Sequence, residues 1–244
     1  MFKRNSLNCW ICGEDATSGE HKIKRSLLKK IYDQDFKDKQ VLHYKNGKLS
    51  KLNGPNSKKA KFEEVICCKC NNDDTQNFDF AYDKFSNYII NNYNLINNTR
   101  MIDFSKIYGK DFPIEQTNLF KYFAKIFGCD LCENHFPVPI DVVDLLNKDF
   151  FSTRLKISFS INENFINSEN PTKVVYGTGW LTTSQANIIS KKEINPFYTF
   201  EIVLSYLSVN IFYNAFTDVG LGSEWIADKQ YVYVGSSPLK KIFD

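Results

Sequence analysis

Two cysteine pairs of the same form, Cys9-Trp10-Ile11-Cys12 and Cys67-Cys68-Lys69-Cys70, constrain this chain more than any other feature. Two thiolates separated by two residues fit one tight turn, and two such turns supply the four sulfurs of a tetrahedral zinc ion. Gly13, directly after the first pair, lets backbone amides face the thiolates. A shell of four sulfurs leaves no position for substrate, so the implied Zn2+ on Cys9, Cys12, Cys67 and Cys70 is structural. It would clip together the ends of the whole stretch between Cys12 and Cys67. Cys68 is an alternative to Cys67, although Cys68-Lys69-Cys70 makes a poorer knuckle. A third pair, Cys129 and Cys132 with His135 nearby, could bind a metal as well, but it lies in a helical pattern beside Phe127 and Leu131, which favours a core role.

The start of the chain, Met1-Phe2-Lys3-Arg4-Asn5, lacks the apolar run of a signal peptide, so a cytoplasmic location is expected. Seven cysteines in a reducing compartment point to metal binding or core packing rather than disulfides. The richest apolar stretch, Phe197 to Phe216, is interrupted by Glu201, Ser205, Ser208, Asn210 and Asn214. It cannot span a bilayer as a helix, and no membrane partner is expected.

Charge is unevenly placed along the 244 residues. Up to Cys70 there are sixteen Lys/Arg against eight Asp/Glu, whereas the remainder holds 15 basic and 20 acidic residues. A basic first third on an otherwise acidic chain points to a polyanionic partner, nucleic acid being the expectation. With 43% hydrophobic and 24% charged residues, the composition is that of a globular protein and excludes wholesale disorder.

Local patterns place these residues on elements. Ser26 to Ile31 suits a short helical turn, and Val41 to Leu49 a hairpin turning at Asn46-Gly47. Phe62 to Ile66 leads as a strand into the second cysteine pair. Phe78, Ala81, Tyr82, Phe85, Tyr88, Ile89 and Tyr93 then form one apolar helical stripe, with Asp73, Asp74 and Thr75 at its start. The asparagine-rich stretch Asn91 to Asn98 ends that helix and is the candidate boundary between domains 1–98 and 99–244. Beyond it, Thr117 to Cys132 and Asp141 to Leu146 read as helices. Strands are expected over Leu155 to Ile161, Val174 to Leu181, part of Phe200 to Phe212, and Tyr231 to Val234. The class is therefore α+β.

A CxxC pair, then Glu20-His21, then a second CxxC pair followed at once by Asn71 and a helix, resembles the zinc-containing HNH endonucleases. Cys70-Asn71-Asn72, Thr75-Gln76, Asp79 and Tyr82 resemble one branch of them. The resemblance covers roughly residues 7 to 95 and implies a ββα-metal HNH domain, stapled by the four-cysteine zinc site and followed by an α+β domain for recognition or regulation. It implies a metal-dependent endonuclease that hydrolyses DNA, expected to be double-stranded, of the kind found in antiphage defence, restriction and mobile elements. His21 would be the general base, Glu20 a ligand of a catalytic Mg2+ or Mn2+, and Asn71 the second ligand. Lys22, Lys24 and Arg25 would bind the phosphate backbone, with Lys29, Lys30, Lys58, Lys59, Lys61 and Lys69 as a wider rim.

The sequence departs from the family pattern in two places. Glu20 stands where Asp is common, and the central asparagine before the second pair is replaced by Phe62-Glu63-Glu64. Asn72, Asp73, Asp74 and Asp79 are alternatives to Asn71 as ligand. A zinc-stapled nucleic-acid-binding protein without catalysis is the alternative function. A regulatory protein partner or a homo-oligomer is a further expectation for the chain.

Overall fold

The computed structural model describes residues 8–32, 36, 41–45, 48–148, 152–162, 177–178, 182–183, 197–214 and 224–237. Among these, the helices are α1 (Arg25–Tyr32), α2 (Gln76–Asn91), α3 (Tyr93–Thr99), α4 (Phe104–Tyr108), α5 (Phe112–Glu133) and α6 (Ile140–Asn147). The strands are β1 (Val41–Lys45), β2 (Lys48–Leu52), β3 (Met101–Asp103), β4 (Leu155–Asn162), β5 (Gly177–Thr178), β6 (Thr182–Thr183), β7 (Phe197–Leu204), β8 (Leu207–Asn214) and β9 (Tyr231–Ser237). The class is mixed α+β.

α5 organises the molecule. Proline in its first turn and Glu115 beside it suit a helix start, where N–H groups lack partners and negative charge is favourable. From Leu119 to Leu131 every residue but Lys121 is buried, so the helix shows no solvent-facing stripe along that length. Such a helix must be covered on several sides. On one side Tyr122 stacks on Tyr82 of α2 at 4.0 Å, and Phe85 meets Phe123 edge-on at 6.0 Å. On the other, Phe123 meets Phe159 of β4, Phe127 meets Phe200 of β7, and Phe120 meets Trp225.

The sheet beneath has β4 paired antiparallel with β8 and parallel with β9. β7 and β8 form a long hairpin, and β3 closes the far edge against β9. β7 alternates between buried and more exposed residues, the period of a strand whose one face is covered by helices. At the other edge β5 joins β7 to the β1–β2 hairpin, in which Lys45 lies opposite Lys48. The expected turn pair Asn46-Gly47, and most of the expected strand Val174 to Leu181, lie outside the described residues.

Of the asparagine-rich stretch Asn91 to Asn98 expected as a boundary, Asn91 ends α2 and the residues from Tyr93 on belong to helix α3, with Ile96 fully buried. One hydrophobic cluster runs from Ile23 to Val234 and joins residues on both sides of position 98. A second, small cluster contains Cys9, Ile11, Ile66, Cys67 and Cys70, with Trp10 and Leu146 packed against it.

Candidate functional site

The Sγ atoms of Cys9, Cys12, Cys67 and Cys70 all lie within 4.8 Å of one another. Cys12 Sγ and Cys67 Sγ are 3.7 Å apart, close to the edge of about 3.8 Å that a tetrahedron with Zn–S bonds of about 2.3 Å requires. Each knuckle is closed by its own backbone. Gly13 N–H donates to Cys9 O at 2.8 Å, and Gly13 sits at φ +87°, which a glycine adopts without strain. Cys70 N–H donates to Cys67 Sγ at 3.3 Å, and Asn71 N–H to Cys67 O at 3.0 Å. The donor set and its spacing suit a structural metal ion such as zinc. Cys68 is exposed and contacts Thr17 instead, at 3.5 Å from its Oγ1. Burial raises the Cys129 and Cys132 thiols, the latter to about 12. Among the described residues, the four-cysteine group is the one cluster of His, Cys, Asp and Glu close enough to hold an ion.

Helices from later in the chain seat the first knuckle. A methyl group on Gly128 of α5 would run into the Trp10 ring, so the helix carries glycine where the ring rests on it. Asn147 Nδ2 of α6 donates to Ile11 O at 2.8 Å.

Between the knuckles, residues 17–22 run antiparallel to residues 60–66. Thr17 and Ser18 donate to Ile66 O, Phe62 to Glu20 O and Lys22 to Ala60 O, at 2.8–3.1 Å. Cys70–Asp74 is a π-helical turn, and Thr75 Oγ1 caps it by donating to Cys70 O at 2.8 Å. Such turns are frequent at functional sites. The order is two antiparallel segments followed by helix α2.

Glu20, His21 and Asn71 lie on this frame. Glu20 is buried, with Oε1 accepting from His21 N–H at 2.6 Å and Oε2 lying 2.5 Å from Lys125 Nζ. Lys125 comes from the middle of α5 and its side chain is 0% exposed. Its ammonium also faces Asp79 Oδ2 at 3.4 Å and Thr75 Oγ1 at 3.2 Å, one acceptor for each of its three N–H donors. Burial pushes Lys125 down, but Glu20 and Asp79 outweigh it and hold the ammonium above its ordinary range. Burial raises the Asp79 carboxyl, with Lys125 opposing.

His21 is half-buried, and its Nδ1 is buried with no hydrogen-bond partner. Burial lowers its pKa, and the positive charges of Lys61 and Arg25 lower it further, against the pull of Glu20. Asn71 Nδ2 donates to Ser18 Oγ at 2.8 Å, while Asn71 Oδ1 is buried without a partner.

The three expected phosphate contacts separate. Lys22 is buried over the Phe62 ring and ion-paired to Glu133 at 2.8 Å. Lys24 donates to Asp79 O at 2.7 Å and to Asp83 at 2.8 Å. Those two ammonium groups are engaged by the protein's own carboxylates, and Arg25, at the start of α1, is the exposed one of the three.

Lys125 was not among the residues singled out from sequence. The available signal was a lysine inside Phe123-Ala124-Lys125-Ile126-Phe127, where every neighbour is apolar. Compared with known proteins, the chain matches no family model, no curated protein and no solved structure.

Proposed function

We propose that the chain hydrolyses phosphodiester bonds of nucleic acid as an HNH-type endonuclease, with His21 as general base. The observation that carries this reading is the frame around His21. Two antiparallel segments, joined at the four cysteines and followed by α2, hold a half-buried imidazole between them. A base for water must be neutral at working pH, and burial together with Lys61 and Arg25 disfavours the imidazolium. The same two cations supply charge for a phosphate, Arg25 through two parallel donors.

A catalytic divalent ion does not fit these residues as they stand. Glu20, its expected ligand, already has one oxygen on an ammonium and the other on a backbone amide. Mg2+ and Mn2+ therefore have no step in the chemistry proposed. That same Glu20–Lys125 pair favours the second reading, a zinc-stapled nucleic-acid binder without cleavage.

Nicking of supercoiled plasmid separates the two. Zinc-loaded wild-type protein converts the plasmid, and zinc-loaded His21→Ala does not. Absence of conversion by folded wild-type protein, with and without added Mg2+ or Mn2+, overturns the hydrolase. Salt-sensitive retention of the same DNA would then leave the binding reading.

A further inference from the structure

The Lys125 ammonium lies between Glu20, the carboxylate expected to ligate a divalent ion, and Asp79, one of the alternative ligands. Its oxygen neighbours come from three places in the chain: Glu20 in the 17–22 segment, Thr75 at the end of the π-helical turn, and Asp79 in α2. We infer that Lys125 is a built-in monovalent substitute for the divalent ion, so that the wild-type chain binds no Mg2+ or Mn2+ between Glu20 and Asp79.

Three features argue that the substitution is permanent. Lys125 has no solvent-exposed surface into which its ammonium could swing. Its helix is pinned on either side of it, by Tyr122 stacked on Tyr82 and by Gly128 under the Trp10 ring. The second carboxylate is held from outside as well, since Lys24 Nζ lies 3.8 Å from Asp79 Oδ1 and 2.8 Å from Asp83 Oδ2. A divalent ion entering beside these two ammonium groups would meet like charges at close range in a poorly screened interior. Mg2+ also demands near-octahedral oxygens at about 2.0–2.1 Å, whereas both Glu20 oxygens are committed.

This inference rests on the proposed hydrolase for its activity readout alone; binding of the ion tests it separately. Mn2+ is titrated into zinc-loaded full-length protein and followed by the electron paramagnetic resonance signal of the free ion. Four thiolates prefer zinc to manganese, so the structural site does not compete. Wild-type protein leaves the free-ion signal unchanged. Removing the ammonium in Lys125→Met or Lys125→Gln leaves Glu20 without a counter-charge and Asp79 with Lys24 alone, and about one Mn2+ per chain then binds, at least about tenfold more tightly than to wild type. Adding Glu20→Gln to either variant abolishes that binding. Stoichiometric Mn2+ binding by wild type that is lost in Glu20→Gln overturns the inference with no need of a lysine variant. So does a folded, zinc-loaded lysine variant that binds no Mn2+. If plasmid nicking is observed, its rate in metal-depleted buffer stays within about twofold on adding Mg2+; stimulation of about tenfold or more also overturns the inference. If there is no nicking at all, the hydrolase fails and the Mn2+ titration still decides.

Discussion

At the scale of single residues, burial and charge give His21 and Lys125 opposite protonation behaviour. His21 has a folded pKa below its ordinary 6.5. The unfolded chain therefore binds the extra proton in the window between the depressed value and 6.5. Its contribution to stability is fully present above pH 6.5 and is lost as pH falls through the lower value. Cleavage should follow the same group: the acid limb of the rate profile is expected below pH 6.5, and a limb at or above 6.5 would exclude His21 as the base. Lys125 is displaced upward, so the stability it gives is complete below its unfolded pKa and fades only as pH rises through the folded one. Lys125→Met removes one partner of a buried charge cluster and leaves Glu20 and Asp79 facing each other. The expected loss is about 3–5 kcal/mol in urea unfolding at neutral pH, because uncompensated buried charge costs more than the pair contributes. A loss under about 1 kcal/mol would show that the three groups are not coupled.

At the scale of elements, the contact between Trp10 and α5 can be tested by one methyl group. Gly128→Ala gains about 1 kcal/mol of helix propensity but drives Cβ into three atoms of the Trp10 ring, closer than carbon atoms approach without bonding. Overpacking of that kind costs about 1–3 kcal/mol. The net expectation is lower stability to urea together with weaker zinc retention, and a stabilised variant would show that the ring does not rest there. The β7–β8 connection makes a related point. Ser205-Tyr206 carries no glycine, proline or asparagine, yet Ser205 adopts φ 58° and the chain reverses there. Tyr206 supplies the reason: its hydroxyl donates to Ile89 O at the end of α2, and its ring meets Tyr93 edge-on at 4.8 Å. Sequence showed strand character over part of Phe200 to Phe212, but this turn is held by a helix far away in the chain. The stripe of α2, by contrast, was legible because Phe78, Ala81, Tyr82, Phe85 and Ile89 are neighbours on the helix itself and all become buried.

At the scale of the whole molecule, the four-cysteine staple and the helix-on-sheet core are separate sources of order. Cys12 and Cys67 lie 55 positions apart, so a metal joining them removes a large loop entropy from the unfolded chain. Stripping zinc with a chelator should lower the melting temperature by about 10 °C or more. Hydrogen exchange should then lose protection over residues 8–22 and 60–75, while α5, β4 and β8 keep theirs. Uniform loss across both regions would show instead that the staple and the core unfold as one unit. The first knuckle leans on Gly128, Leu146 and Asn147. Truncation near residue 98 would therefore remove the surface that seats it.

Sequence by itself determined the cysteine frame, the α+β class and the positions of the main helices. Each of these is written in short-range spacing: two residues between thiolates, or a helical or strand period of apolar residues. Tertiary structure alone decided what the charged residues do. Lys22 and Lys24 look like a phosphate rim in the chain, yet they pair with Glu133 and Asp83. Lys125, remote from Glu20 in sequence, becomes its closest cation. A charge in the chain has a sign but no partner, and its effect depends on distance and burial. Both are set only when α5 is packed against the segments that carry the four cysteines.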